Sequence, residues 1–157
     1  MTATIAPASG AVDLIDIARL FRAYAEGLPI DLGYQGFEAE LAGLPGRYAP
    51  PAGALLIARG HNGALLGCVA LRPLDEPGVC EMKRLYVAPA GRGQGIGRKL
   101  ADAVIAAART AGYAEMRLDT LASMTAARTL YSSLGFREID AYYETPVEGT
   151  VFLALAL

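Results

Sequence analysis

Cysteine is scarce in this chain: Cys68 and Cys80 are the only two, they lack CxxC spacing, and no histidine cluster surrounds them. Neither a zinc site nor a disulfide framework is indicated, and both are expected as small buried apolar groups on neighbouring strands. No metal is expected. No apolar run reaches the roughly eighteen residues that a membrane span needs, and residues 1–10 lack the basic start and apolar centre of a secretory leader. A reducing, cytoplasmic setting is expected, with no membrane partner. Lysine is nearly missing as well, Lys83 and Lys99 standing alone among 14 basic residues. Against 16 acidic residues the formal charge is −2, so the overall field draws neither nucleic acid nor anionic lipid, and any anion must be held locally. A small ligand is the expected partner.

What remains is apolar: 54% of the 157 residues are hydrophobic, enough for one core, and a single domain over 1–157 is expected. Leu14, Ile17, Ala18, Phe21 and Ala25 recur at helical spacing, with Asp13 as the expected cap and Gly27-Leu28-Pro29 as the stop. A shorter helix is expected through Phe37, Leu41 and Leu44, ending at Pro45-Gly46. The period then changes. Runs of strand length at 54–58 and 65–71 flank Gly60-His61-Asn62-Gly63, whose Asn-Gly pair suits a hairpin, and Asp75-Glu76-Pro77-Gly78 leads to a third antiparallel strand at 80–87. The strongest helical stripe, Ile96, Leu100, Val104, Ala107 and Ala111, spans about 95–111 before Gly112. A strand at 115–121 follows, then a helix at about 125–134 with Ser123 as its expected cap and Gly135 as its stop, and strands near 136–141 and 150–157. This order, free of repeats and linkers, predicts an α/β fold with a mixed, mostly antiparallel sheet and helices on both faces.

Between the third strand and the strongest helix lies Arg92-Gly93-Gln94-Gly95-Ile96-Gly97-Arg98. Backbone N–H groups at a helix start lack intrahelical partners, and glycines admit a phosphate without a clashing side chain. Arg92 and Arg98 would add charge. A tight turn alone would account for one or two glycines, not for Gly91, Gly93, Gly95 and Gly97 together. A P-loop is excluded, because Lys99 follows Arg98 and precedes Leu100 instead of standing in Gly-Lys-Ser/Thr. A dinucleotide fingerprint is excluded too, since Ile96 or Arg98 falls at the third glycine and the preceding strand belongs to a hairpin series.

The spacing Arg-x-x-Gly-x-Gly, met by Arg92, Gly95 and Gly97, resembles motif A of the GNAT superfamily of N-acetyltransferases. Glu81-Met82-Lys83-Arg84-Leu85-Tyr86-Val87 is similar to that family's fourth strand, and Ala127-Arg128-Thr129-Leu130-Tyr131-Ser132-Ser133-Leu134-Gly135-Phe136 to its motif B. Together the matches cover most of 54–157. The resemblance implies a GNAT-like acyl-CoA N-acyltransferase fold with acetyl-CoA as donor. Its pyrophosphate would rest on Arg92, Gly93, Gln94, Gly95, Ile96, Gly97 and Arg98, and its pantetheine arm would pair with Leu85, Tyr86 and Val87 as a strand would. One departure is Met124, where many relatives carry an asparagine that contacts the cofactor; Ser123 or Thr125 would have to replace it.

Acetylating an amine requires a base, because an alkyl amine with a pKa near about 10.4 is almost wholly protonated at neutral pH. The resemblance implies Glu81 as that base, directly or through water; the competing role is an ion pair with Lys83 or an arginine. It implies Tyr131 as the acid that serves the departing thiolate, against a packing aromatic as the alternative. Tyr34 and Gln35, with Asp31 beside them, and Tyr142 and Tyr143 fall where relatives shape the acceptor pocket. Asp119, alternating with Arg117, is a substrate contact or a sheet ion pair, and His61 is expected in solvent on its turn. The expected activity is direct transfer to a primary amine on a small molecule or peptide. The rivals are an acyl-CoA-binding module without turnover and a protein-interaction domain. A homodimer stays open.

Overall fold

The computed structural model describes residues 3–157. Strand β1 (Thr4–Pro7) precedes helix α1 (Gly10–Glu26), a short 3-10 turn (Leu32–Gln35) and helix α2 (Phe37–Ala42). Strands β2 (Ala54–Arg59), β3 (Leu65–Pro73) and β4 (Val79–Val87) follow, then helix α3 (Ile96–Thr110), strand β5 (Glu115–Leu121), helix α4 (Thr125–Ser133), and strands β6 (Arg137–Ile139) and β7 (Thr150–Ala156). They form one sheet in the order β1-β2-β3-β4-β5-β7-β6. Every pairing is antiparallel except β4 with β5, whose parallel alignment requires the crossover that α3 supplies.

Helices cover both faces. Ile17, Leu20 and Phe21 of α1 and Phe37 of α2 pack on Leu55 and Ile57, while Leu100 and Val104 of α3 and Tyr131 of α4 pack on Leu56, Val69 and Leu118. Successive β2 side chains thus enter opposite cores, which is why this strand reads as an unbroken apolar run with no alternation. Strand β5 does alternate: Met116, Leu118 and Thr120 are buried, and Arg117 and Asp119 lie on the other face, partly open. Cys68 and Cys80 are buried on adjacent strands β3 and β4, and burial pushes both thiols up, Cys80 to about 12. They are inert packing groups.

Several expectations are corrected. Strand β1 was not foreseen, because only four residues, one of them Pro7, carry it, and pairing with β2 in place of a local pattern makes it. Asp13 is not the cap of α1. The helix begins at Gly10 after an extended Ser9, and the Asp13 carboxylate instead accepts the Ser9 N–H at 2.8 Å, which lowers its pKa. Ser123 does not cap α4 either: Met124 holds that position without a side-chain bond. Strand β6 is shorter than expected, ending at Ile139. Among the described residues, no helix is long and apolar enough to cross a membrane.

Candidate active site

The site begins where two strands part. Strands β4 and β5 pair in parallel from Val79↔Glu115 through Glu81↔Arg117 and no further. Beyond that point β4 carries a bulge: Cys68 faces Tyr86 and Ala70 faces Lys83, so Val69 alone opposes both Arg84 and Leu85. Arg84 takes φ +60, a left-handed backbone that costs a non-glycine residue about 1–3 kcal/mol. Its guanidinium compensates by donating to both oxygens of Glu40 on α2, at 3.1 and 2.9 Å, and to Gln35 Oε1 at 2.8 Å.

A cavity of about 70 Å³ fills the opening, with Leu85, Lys83, Asp119, Met124, Gln35 and Tyr131 among its walls. Tyr131 is buried, packs edge-on against Phe136 at 5.6 Å between ring centres, and has its pKa raised by burial. Lys83 is buried too, and burial lowers its pKa despite the nearby charge of Asp119 and Glu81. Its Nζ donates to Gln35 Oε1 at 3.1 Å and lies 3.7 Å from Asp119 Oδ1. Asp119 Oδ2 in turn accepts the Tyr143 hydroxyl at 2.7 Å, and Gln35 Nε2 donates to Tyr34 Oη at 2.9 Å.

Glu81 stands outside this cavity. It is 1% exposed, one carboxylate oxygen receiving Arg72 Nε at 2.8 Å and the other the Tyr142 hydroxyl at 2.5 Å. Its ion partner is therefore Arg72, the residue opposite it on β3, and not Lys83. Tyr142, Tyr143 and Phe152 form an edge-to-face cluster with ring centres 5.1–5.4 Å apart, and Arg117 lies 5.6 Å over the Tyr142 ring. Tyr34, Gln35, Asp119, Leu85 and Tyr131 thus share the cavity, and Tyr143 reaches it through Asp119. His61 is exposed on its turn.

The glycine loop leaves the end of β4. Gly93 and Gly95 take φ +78 and +72, and Gly95 occupies the cap position of α3. The first intrahelical bond runs from Lys99 N–H to Gly95 O at 3.2 Å, so the N–H groups of Ile96, Gly97 and Arg98 have no helical partner. The first turn holds no acidic residue, yet carries Arg98 and Lys99, the wrong sign for the helix dipole unless an anion sits there. A Cβ on Gly97 would meet only Val87 Cγ2 at 3.5 Å and Leu130 Cδ2 at 3.9 Å. Neither packing nor dihedral demands glycine there, whereas close approach of a ligand to the backbone would. Arg92 is exposed and donates to Val87 O at 3.2 Å, Gln94 to Ala90 O at 3.0 Å, and Arg98 to Ser133 Oγ of α4 at 3.0 Å. Leu85 and Val87 pack toward α3 and α4, and Tyr86 toward α1, edge-on to Tyr24 at 6.4 Å.

Sequence reasoning missed Lys83, Arg84 and Glu40. The available signal was two adjacent cations just after Glu81 in a strand whose remaining residues carry no charge, which a buried sheet accepts only with partners. Met124 does line the cavity, where its sulfur lies 3.8 Å from Thr120 Oγ1, while Ser123 and Thr125 are exposed.

The model of the acetyltransferase (GNAT) family matches residues 17–136. An uncharacterized N-acetyltransferase of Schizosaccharomyces pombe is 41% identical over 145 residues, covering 92% of this chain and 89% of the relative. One from Dictyostelium discoideum is 30% identical with both chains fully covered. Among solved structures, a GNAT-family acetyltransferase of Staphylococcus aureus superposes with a TM-score of 0.80 at 21% identity, 99% of each chain being covered. A Salmonella typhimurium structure solved with its cofactor acetyl-CoA gives 0.74 at 22% identity, covering 99% of this chain and 94% of that one.

Proposed function

This chain belongs to the acetyltransferase (GNAT) family, and from that premise we propose that it moves the acetyl group of acetyl-CoA directly to a primary amine, without a covalent enzyme intermediate. The observation that carries the reading is the wedge between β4 and β5, with a cavity inside it and a glycine-opened helix start at the end of β4. The like fold solved with acetyl-CoA supports the same donor. Pyrophosphate oxygens would accept from the N–H groups after Arg92, and pantetheine would lie along the unpaired side of Leu85, Tyr86 and Val87 as an added strand.

Exposure supports one assignment of the chemistry. An arriving ammonium must lose a proton before its nitrogen can attack the thioester carbon. Of the two carboxylates nearby, Asp119 lines the cavity, whereas Glu81 is enclosed with both oxygens engaged. In this reading Asp119 takes the proton, and Glu81 serves as base only if Tyr142 relays to it. Attack joins the nitrogen to the thioester carbon; as the tetrahedral oxyanion collapses and the C–S bond breaks, the departing thiolate takes a proton from the Tyr131 phenol, which recovers one from the nitrogen as the amide forms. Burial raises that phenol's pKa and so keeps it protonated, available to donate to the departing sulfur.

Thiol release from acetyl-CoA, followed across a panel of amines, tests the whole reading. Asp119→Asn should lower kcat by about 10²–10⁴-fold with acetyl-CoA affinity retained. A comparable loss in Glu81→Gln together with near-normal turnover in Asp119→Asn would return the base to Glu81. Release of thiol with no amine tested would defeat the transferase reading.

A further inference from the structure

The cavity says something about the acceptor. Lys83 and Asp119 come from strands that have already separated, and they face each other across the gap at 3.7 Å, too far for a direct hydrogen bond. A bridge that existed only to hold the strands would close, as Arg72 and Glu81 do at 2.8 Å. The Lys83 ammonium is buried at 6% exposure and has three N–H donors, yet its one hydrogen bond in protein is to Gln35. A buried ammonium with donors to spare, on the wall of a cavity, is placed to bind an anionic group there. Arg84 adds a second cation to the same wall, its bonds to Glu40 and Gln35 leaving N–H groups unused. Asp119 is the opposing anion on that wall, steered by the Tyr143 hydroxyl.

Resting on the transfer reading above, we infer that the acceptor is an amino carboxylate of the α-amino acid class, whose carboxylate binds Lys83 while its amine faces Asp119. Positive and negative groups a few ångströms apart on the protein match negative and positive groups equally close on a zwitterion. The match also places the amine beside the carboxylate that must deprotonate it. A simple alkylamine offers nothing to Lys83 and leaves the buried ammonium as it is. A peptide amino terminus lacks the adjacent carboxylate, because its α-carboxyl is an amide.

The test compares, for the common L-α-amino acids, the free acid, the carboxamide and the amine without the carboxyl group, using thiol release from acetyl-CoA with the wild-type chain. At least one free acid should exceed its carboxamide and its amine by about 10²-fold in kcat/KM, the scale of stranding one partner of a buried charge pair. Lys83→Met should erase that preference, the acid falling to the kcat/KM of its carboxamide and its amine measured in the same variant. If this variant does not fold, the wild-type comparison decides alone. A parallel arm measures thermal stabilisation by the same three ligand sets with CoA bound, and needs no turnover. Carboxylate-selective stabilisation without thiol release would keep the amino-carboxylate site at Lys83 and Asp119 but defeat its role as acceptor site together with the transferase reading. Turnover of amines with acid and carboxamide within about threefold of each other would keep the transferase reading and overturn the inference. So would the absence of carboxylate preference in both arms.

Discussion

Replacing Glu40 with alanine tests whether the bulge in β4 is held from α2. Arg84 is 4% exposed and adopts φ +60, and three of its bonds come from outside its own strand, two of them to Glu40. Burial works to discharge this guanidinium, and the Glu40 contacts outweigh it, so that its pKa lies above the ordinary arginine value. Removing the carboxylate leaves a buried cation with only a neutral partner, a change that costs about 3–5 kcal/mol in such settings. In a chain of this size each kcal/mol lowers Tm by about 2–4 °C, so the midpoint should fall by about 6–20 °C. Helix propensity cannot explain such a loss, since alanine favours α2. The matched control is Glu38→Ala on the same helix, whose pair with Arg22 is 3.4 Å long and 75% exposed on the Glu38 side. That pair is worth about 0–1 kcal/mol. Combining Glu40→Ala with Arg84→Met should restore much of the loss by removing the stranded charge. Scanning calorimetry on the four proteins reads the result. Equal midpoints for the two single variants, or no recovery in the double variant, would refute the reasoning.

Further tests reach the donor loop, the leaving group and the buried lysine. Gly97→Asp should fold, because its Cβ meets only ordinary contacts, and should lose acetyl-CoA affinity by at least about 10²-fold through like charge at the helix start; unchanged calorimetric binding would unseat the loop. Acetyl-CoA at about a hundred times its Kd should stabilise the wild-type chain by about 2.7 kcal/mol, and a flat midpoint at that ratio would contradict binding. Tyr131→Phe should lower kcat with acetyl-CoA, and the deficit should shrink for donors with a more acidic leaving thiol; an unchanged kcat and KM across donors would leave Tyr131 as a packing residue. Burial lowers the folded pKa of Lys83 below its ordinary 10.5, so the unfolded chain holds more protons between those values and stability there rises with pH. The stability of Lys83→Met minus wild type should therefore decline as pH rises toward 10.5, and a pH-independent difference in urea titrations would exclude the lysine as its source.

How much of this was legible in advance depends on the range over which each feature is encoded. The helix from Ile96 and the strand from Glu115 announce themselves in local periodicity, because burial of one face repeats every few residues. The glycine loop is equally local: Gly93 and Gly95 need positive φ, and Gly97 keeps the backbone open, all within one turn of chain. Tertiary structure alone decided which charge meets which. Glu81 could have paired with Lys83, two residues away, but side chains at i and i+2 share a face without bonding when a cross-strand neighbour stands closer, and the antiparallel register puts Arg72 there. Lys83 and Asp119 are 36 positions apart, and nothing local brings them together. They meet because α3 returns the chain for β5 to run parallel to β4, and because the two strands then separate and leave a polar pair facing a cavity instead of a ladder of backbone bonds.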